Sequence, residues 1–192
     1  MPAITVTSGD ALILSLGWQQ QTGGGTLQSV SDDNGGTWQS TTLQANGAAA
    51  AIQIWYCVNH PGGPTNVVAT YSASVGGAAA DLSEWSGIAA AVPLDASAGA
   101  TGSSTTPSTG IVMTSNPVDL VIGAAAQQGK LSISSGPTNS FTALTDAVTT
   151  GGSGSVNTMS GYQIESAFGS YSTGWTMSGT NKWAGSIVAF HH

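Results

Sequence analysis

Hydrophobic and polar residues alternate with a period of two along much of this chain, and that alternation predicts β-strands. In residues 12–18, three leucines and Trp18 share one face, while Ile13, Ser15 and Gly17 share the other. Residues 52–58 repeat the pattern, with isoleucine, tyrosine and valine on one face and Gln53, Trp55 and Cys57 on the other. Convincing helical periodicity is absent from the sequence, so the pattern predicts an all-β protein.

Glycine and proline clusters separate the strand-like runs. Residues 60–64, His-Pro-Gly-Gly-Pro, cannot continue a strand because proline lacks the backbone donor that the ladder needs. Roughly ten to thirteen short strands with regular turns are typical of a sandwich. We therefore predict a two-sheet antiparallel β-sandwich, jelly-roll-like, formed by residues 1–192 as a single domain. Residues 95–110 fit either a long exposed loop or a weak edge strand.

Residues 31–38, Ser-Asp-Asp-Asn-Gly-Gly-Thr-Trp, predict a tight β-hairpin turn. Aspartate and asparagine tolerate left-handed backbone angles, and glycine adopts them without steric cost. We expect the hairpin to set the register of its two flanking strands and Trp38 to anchor it to the core. Calcium binding by Asp32, Asp33 and Asn34 is a second hypothesis, because calcium prefers oxygen ligands, although no downstream glutamate completes an EF-hand-like loop. Calcium is the one possible cofactor that the sequence suggests.

The same eight residues fit the Ser-x-Asp-x-Gly-x-Thr-Trp pattern and so resemble the Asp-box of sialidase propellers. That pattern recurs once per propeller blade, whereas it occurs once here, and a propeller needs repeats of about 40–50 residues. The chain also has no arginine with which to bind a substrate carboxylate. The sequence therefore favours a turn over a sialidase.

Charge is scarce: 6% of residues are charged, with two lysines, no arginine and a net charge of −7. Nucleic-acid binding needs clustered basic residues, so we exclude it. No run approaches the ~18 apolar residues of a membrane span, and Met1-Pro2-Ala3 lacks the basic start of a signal peptide. Synthesis in the cytosol with release by lysis fits this start, as does a fragment of a larger secreted protein.

Candidate chemistry is sparse. Cys57 is the only cysteine and His60 the only histidine before the terminal pair, so no nucleophile–base set stands out. Glu84 and Glu165 are the only glutamates, and a carboxylate pair for glycoside hydrolysis would need both; Glu84 is expected to be partly buried. Trp55 and Trp85 are the candidate ligand-binding residues, because exposed tryptophans stack on sugar rings.

Two motifs support a resemblance to a known family. Residues 9–14 (GDALIL) are followed by residues 30–38 (VSDDNGGTW), and this pair resembles a β-sandwich module of bacterial surface proteins and phage virion or tail proteins. Later pieces also fit, including residues 83–88 and 183–190. The resemblance implies the fold and an extracellular, cell-surface or virion setting, and it implies no catalytic residue.

We therefore expect a non-enzymatic structural or adhesive protein of a phage particle, as capsid decoration or a tail-associated protein. The expected partners are other virion or surface proteins and possible glycans, in a homo-oligomer, without nucleic acid or membrane insertion. The alternative is a carbohydrate-binding or adhesion module of a secreted bacterial surface protein, and a third possibility is a glycosidase.

Overall fold

The computed structural model describes residues 4–149 and 154–192, and in these residues the chain forms β-strands joined by turns, without a helix. Every strand pair is antiparallel, so the predicted all-β antiparallel class is confirmed. The strands are β1 (Ile4–Val6), β2 (Ala11–Trp18), β3 (Leu27–Asp32), β4 (Trp38–Ser40), β5 (Gln44–Asn46), β6 (Ala50–Cys57), β7 (Gly63–Thr65), β8 (Val67–Tyr71), β9 (Ala78–Trp85), β10 (Leu94–Ser104), β11 (Val112–Met113), β12 (Asp119–Gln128), β13 (Ile133–Ser135), β14 (Thr142–Ala143), β15 (Ala147–Val148), β16 (Val156–Ile164), β17 (Ser170–Tyr171), β18 (Thr176–Met177) and β19 (Asn181–His191).

Two larger sheets form the sandwich. Sheet I has the order β4-β6-β2-β9, with β5 also paired to β6. Sheet II has the order β10-β19-β12-β16-β14, with β15 also paired to β16. Their inner faces enclose one apolar cluster that includes Ile13 and Ile54 from sheet I and Ile122 and Phe190 from sheet II. The jelly-roll topology stays a prediction.

Each large sheet is also covered on its outer face. Val30 of β3 and Val67 of β8 pack with Leu12 and Leu14 on the outer side of sheet I. On the outer side of sheet II, the short strands β11, β13, β17 and β18 supply the cover, with Trp175 packed against Met159. Because both faces are covered, β2 is buried at every position, although its residues alternate as the sequence predicted.

Residues 94–104 form an edge strand rather than a loop. β10 pairs with β19 along its whole length, and its side chains alternate between exposed and half-buried from Ala96 onward. The register shifts between Leu94 and Ala96, so Asp95 occupies a β-bulge. Bulges redirect a side chain out of the regular pleat, so Asp95 departs from the alternation of its strand.

The prediction of a hairpin at residues 31–38 is wrong. β3 pairs with β8, whereas β4 pairs with β6 in sheet I. The turn therefore leads the chain around a corner from the outer layer into sheet I. The same turn chemistry serves both geometries, and only the pairing partners of the flanking strands distinguish them.

Candidate functional site

The Asp32 side chain organises this corner. Its Oδ1 accepts the backbone N–H groups of Asn34 at 2.9 Å and Gly36 at 3.0 Å. Its Oδ2 accepts the indole N–H of Trp38 at 2.6 Å. Trp38 packs against the apolar cluster on the outer face of sheet I, so its predicted role as an anchor of the turn is confirmed.

A thiol and an imidazole lie buried beneath the corner. His60 Nε2 lies 3.5 Å from Asp32 Oδ2, without hydrogen-bond alignment, and neither side chain has exposed surface. His60 Nδ1 accepts the Gly62 N–H at 2.9 Å, so the neutral imidazole carries its proton on Nε2, beside the carboxylate. A Cβ at Gly36 would lie 2.3 Å from Asp32 Oδ2 and 2.9 Å from the Cys57 Sγ. The cluster therefore requires glycine at position 36.

The electrostatics of this cluster suit an anchor rather than a nucleophile. Burial raises the pKa of the Cys57 thiol to about 11, and the negative charge of Asp32 adds to the effect. Burial would also raise the pKa of Asp32, but the hydrogen bonds from Gly36, Trp38 and Asn34 outweigh it and lower that pKa. A thiol with so high a pKa is protonated near neutral pH, and only the thiolate is a strong nucleophile.

The three predicted calcium ligands have separate protein partners. Asp33 accepts two hydrogen bonds from Asn66, at 2.8 Å from its backbone and 2.6 Å from its side chain. The Asn34 amide donates to the Gly62 carbonyl at 3.0 Å. Calcium at Asp32, Asp33 and Asn34 stays a prediction, and the observed hydrogen bonds favour a role in shaping the turn.

Trp55 and Trp85 lie on opposite faces of sheet I. Trp55 packs in the outer cluster, and its indole donates to the Gln53 side chain at 3.1 Å. Trp85 faces the interior, 4.7 Å from the Tyr162 ring centre in an edge-on arrangement, and donates to the Ser83 hydroxyl at 2.8 Å. Both rings are half-buried. The structure therefore does not join them into one stacking platform.

The two glutamates are also apart. Glu84 is exposed on sheet I and accepts the Thr7 N–H at 2.6 Å, so the expectation of partial burial is wrong. Its place in β9, opposite Leu12, puts it on the outer face of the sheet near the chain's first strand. Glu165 is buried beside Asp119 in sheet II.

A cleft of about 770 Å³ lies where β2 ends and β19 begins. Amide, hydroxyl and ammonium groups dominate its described lining, which includes Gln19, Gln21, Ser103, Gln128, Asn181 and Lys182. Such groups can hydrogen-bond the hydroxyls of a polar ligand. None of the described residues that line this cleft is aromatic.

A second group of chemistry-bearing residues lies at one end of sheet II. Asp119 begins β12 and stands directly opposite His191, at the end of β19, while Asp95 occupies the bulge of β10. One ligand atom from each of the three lies within 4.8 Å of the others. Asp119 is fully buried, and its Oδ1 lies 3.3 Å from His191 Nδ1.

The two carboxyl groups of this cluster differ in how readily they take up a proton. Ser115 donates to Asp95 from its backbone N–H at 2.6 Å and from its hydroxyl. These bonds outweigh the desolvation of Asp95 and lower its pKa, whereas burial, and then the neighbouring Asp95, raise the pKa of Asp119. Asp95 is therefore the carboxylate that keeps its charge, and Asp119 the one that more readily takes up a proton.

Sequence analysis missed this group because only the strand order of sheet II brings it together. Asp119 and His191 are 72 positions apart in the chain. Asp95 fell in a segment whose structure the pattern left open, and its position in a bulge has no signature in the alternation. The one available signal was Asp119 itself, a charged residue at the start of the apolar run Leu120-Val121-Ile122.

Exposed apolar side chains surround the same end of sheet II. Val118 precedes Asp119, Ile164 pairs with Leu120, and Val92 precedes Pro93, whose carbonyl accepts the His191 N–H. Eight large apolar side chains are exposed among the described residues, and six of them lie on segments that border this end of sheet II. We call these six the apolar end: Val92, Ile111, Met113, Val118, Ile164 and Phe168.

Comparisons with known proteins add no relative: the chain matches no protein-family model, no curated protein and no solved structure. Within the described residues, no helix has the length and apolar character needed to cross a membrane.

Proposed function

We propose that this chain is a non-enzymatic β-sandwich that serves as a structural or adhesive protein of a phage particle, in capsid decoration or at the tail. The observation that best supports this proposal is the set of exposed side chains at the apolar end. Met113 and Phe168 are 71% and 72% exposed there, and Val92 and Ile111, on neighbouring segments, are 74% and 66% exposed. A concentration of exposed apolar side chains on one part of a soluble protein is typical of a contact with another protein.

The composition supports the same proposal. Two lysines and no arginine leave trypsin-like proteases few cleavage sites, which suits a protein displayed outside cells. The two large sheets are covered on both faces, so few long strands present open apolar faces to solvent. The proposed partners are other particle proteins or further copies of this chain.

The direct experiment is quantitative mass spectrometry of purified particles produced by a host that carries the gene. The proposal expects this chain to copurify with capsid or tail proteins in a fixed ratio. Recovery only from the soluble lysate, with none on particles, would contradict it.

A variant pair then tests the apolar end. Replacing Met113 and Phe168 by serine should reduce incorporation into particles or self-association measured by light scattering. Val68→Ser is the matched control, because Val68 is 54% exposed but lies on β8, outside the apolar end. Equal loss in the control and the double variant would show that the apolar end is not the contact surface.

The alternative, a carbohydrate-binding module, has one observation in its favour: the cleft lined by Gln21, Gln128 and Asn181. Sugar hydroxyls are bound by such amides. A glycan array tests it with Gln128→Ala and Trp55→Ala side by side. Loss of binding in Gln128→Ala alone would assign the ligand to the cleft, loss in Trp55→Ala alone would assign it to the tryptophan, and no binding to any glycan would contradict the alternative.

A further inference from the structure

Four neighbouring strands of sheet II bring polar side chains into one row. Glu165, just after β16, donates its backbone N–H to the Asp119 carbonyl at 2.8 Å. Asp119 is paired with His191, and Asp95 lies in the bulge of the next strand, β10. Residues directly opposite each other on adjacent strands share a face of the sheet and lie close together.

This row contains buried acceptor atoms without donors. Asp119 Oδ2 and Glu165 Oε1 are both inaccessible to solvent, and no hydrogen-bond donor among the described residues reaches either atom. Asp119 has no exposed surface, and Glu165 is 8% exposed. Burying a carboxylate oxygen without a partner is costly, so such atoms in a folded protein call for a cation or a proton.

The histidine adds a third acceptor. The Asn116 amide nitrogen lies 2.9 Å from His191 Nδ1, and an Nδ1 that accepts this bond carries no proton. The same Nδ1 lies 3.3 Å from Asp119 Oδ1. In the tautomer whose Nδ1 accepts from Asn116, a lone pair faces the carboxylate, whereas in the other tautomer Nδ1–H donates to it. In the first tautomer, a positive ion between these atoms would turn an unfavourable contact into a favourable one.

We propose that Asp95, Asp119 and His191 form a binding site for a divalent transition-metal cation, with Zn²⁺ as the ion that fits best. Zinc is bound in proteins by histidine nitrogen and carboxylate oxygen, and imidazole favours zinc over calcium or magnesium. The ligand atoms all lie within 4.8 Å of one another, so a rearrangement of these side chains would bring them to one ion. The site is independent of the proposed function.

Neighbouring groups are placed to orient these ligands. Ser115 holds the Asp95 carboxylate through two hydrogen bonds. A flip of the Asn116 amide would exchange its donor for an acceptor oxygen beside the ion. Bound metal would tie together the strands β10, β12 and β19 at the edge of the apolar end, so it should stabilise the fold as a ligand specific to the native state.

The test titrates Zn²⁺ into the metal-free full chain by isothermal calorimetry and measures the melting temperature with and without the ion. We expect one equivalent to bind and the melting temperature to rise. Asp119→Asn and His191→Gln should each weaken binding by at least about tenfold. Ca²⁺ and Mg²⁺ at the same concentrations should produce no rise in melting temperature that Asp119→Asn abolishes.

Asp119→Asn also distinguishes a metal ligand from a merely structural carboxylate. Because the amide keeps the size of the carboxyl group and cannot carry a buried charge, its melting temperature in EDTA should equal or exceed that of the unaltered chain, while the Zn²⁺-dependent rise disappears. A lower melting temperature in EDTA together with an unchanged Zn²⁺ response would overturn the proposal.

His192→Gln is the matched control for adventitious binding by the terminal histidines. His192 is exposed and lies outside the cluster, so this variant should bind Zn²⁺ like the unaltered chain. Loss of binding in His192→Gln, or retention in both Asp95→Asn and Asp119→Asn, would assign the ion to the terminus and refute the site. Binding of Ca²⁺ in place of Zn²⁺ would refute the assigned class of ion.

Discussion

The indole N–H of Trp38 donates to Asp32 Oδ2 at 2.6 Å, and this bond joins the start of β4 in sheet I to the end of the outer-layer strand β3. Trp38→Phe keeps most of the apolar contact but leaves a largely buried carboxylate oxygen with only the His60 contact. We expect a loss of about 1–3 kcal/mol in the free energy of unfolding, measured by urea denaturation. Trp55→Phe, which removes a bond to a neutral amide, should cost less. Equal losses would show that the bond from Trp38 to Asp32 stabilises the fold no more than the bond from Trp55 to Gln53.

Asp32 should make stability depend on pH at the acidic end. Its folded pKa is lowered, because the hydrogen bonds from Gly36, Trp38 and Asn34 outweigh the effect of burial. Its contribution is therefore present above the unfolded pKa of about 3.9 and is lost as the pH falls through the lower folded value. The difference in melting temperature between the unaltered chain and Asp32→Asn should shrink as the pH falls toward about 3. A difference that is constant with pH would contradict the role of the charge.

Gly36→Ala should be more damaging than Gly35→Ala. The first places a methyl group against Asp32 Oδ2 and the Cys57 sulfur, so we expect a loss of about 3 kcal/mol from overpacking and disturbed hydrogen bonds. Gly35 has a φ of 80° and nothing within 4 Å of its Cβ position, so alanine there costs only backbone strain, about 1–2 kcal/mol. Chemical denaturation of both variants measures the difference, and the reverse order would contradict the close packing under the corner.

These residues also show how far the sequence predicts the structure. The alternation in β2 and β6 predicted the faces correctly: Leu12 and Leu14 face outward into one cluster, while Ile13 and Ile54 face sheet II. Alternation fixes which face a residue shares, but it does not say how many layers cover that face. The outer covers formed by β8 and β17 were therefore not foreseen.

The sequence also did not predict which strands pair with each other. The residues around Asp32 predict a turn correctly, but a hairpin and a corner need the same local backbone, and the choice depends on β6 and β8, which come later in the chain. The same dependence hid the contact between Asp119 and His191. His60 could be placed in a turn from its Pro-Gly neighbours, whereas its position under Asp32 depends on where that turn packs.

Cys57 should resist thiol reagents while the protein is folded. It is buried, and its pKa of about 11 keeps the thiolate scarce at neutral pH. Reaction with a chromogenic disulfide should be slow in buffer and fast in guanidinium chloride, with one thiol per chain in the unfolded state. Fast reaction in buffer would mean that the corner over Cys57 opens readily.

Asp81 should affect stability with the opposite sign to Asp32. It lies between the two sheets, where Ser160 donates to its Oδ2 at 2.7 Å. Burial raises its pKa despite this bond and one from the Thr145 backbone, and the pKa of nearby Asp146 is raised by burial and then by Asp81. The folded chain therefore takes up this proton at a higher pH than the unfolded chain does.

It follows that the contribution of Asp81 is most favourable below the unfolded pKa of about 3.9 and weakens as the pH rises through the raised folded value. Asp81→Asn keeps an acceptor for Ser160 and removes the buried charge. Its melting temperature relative to the unaltered chain should rise above about pH 4, whereas that of Asp32→Asn should fall as the pH rises from about 3 to about 4 and then stay level. Measuring both variants in the same buffers makes each the control for the other. If both curves moved in the same direction, the opposite environments of the two carboxylates would be refuted.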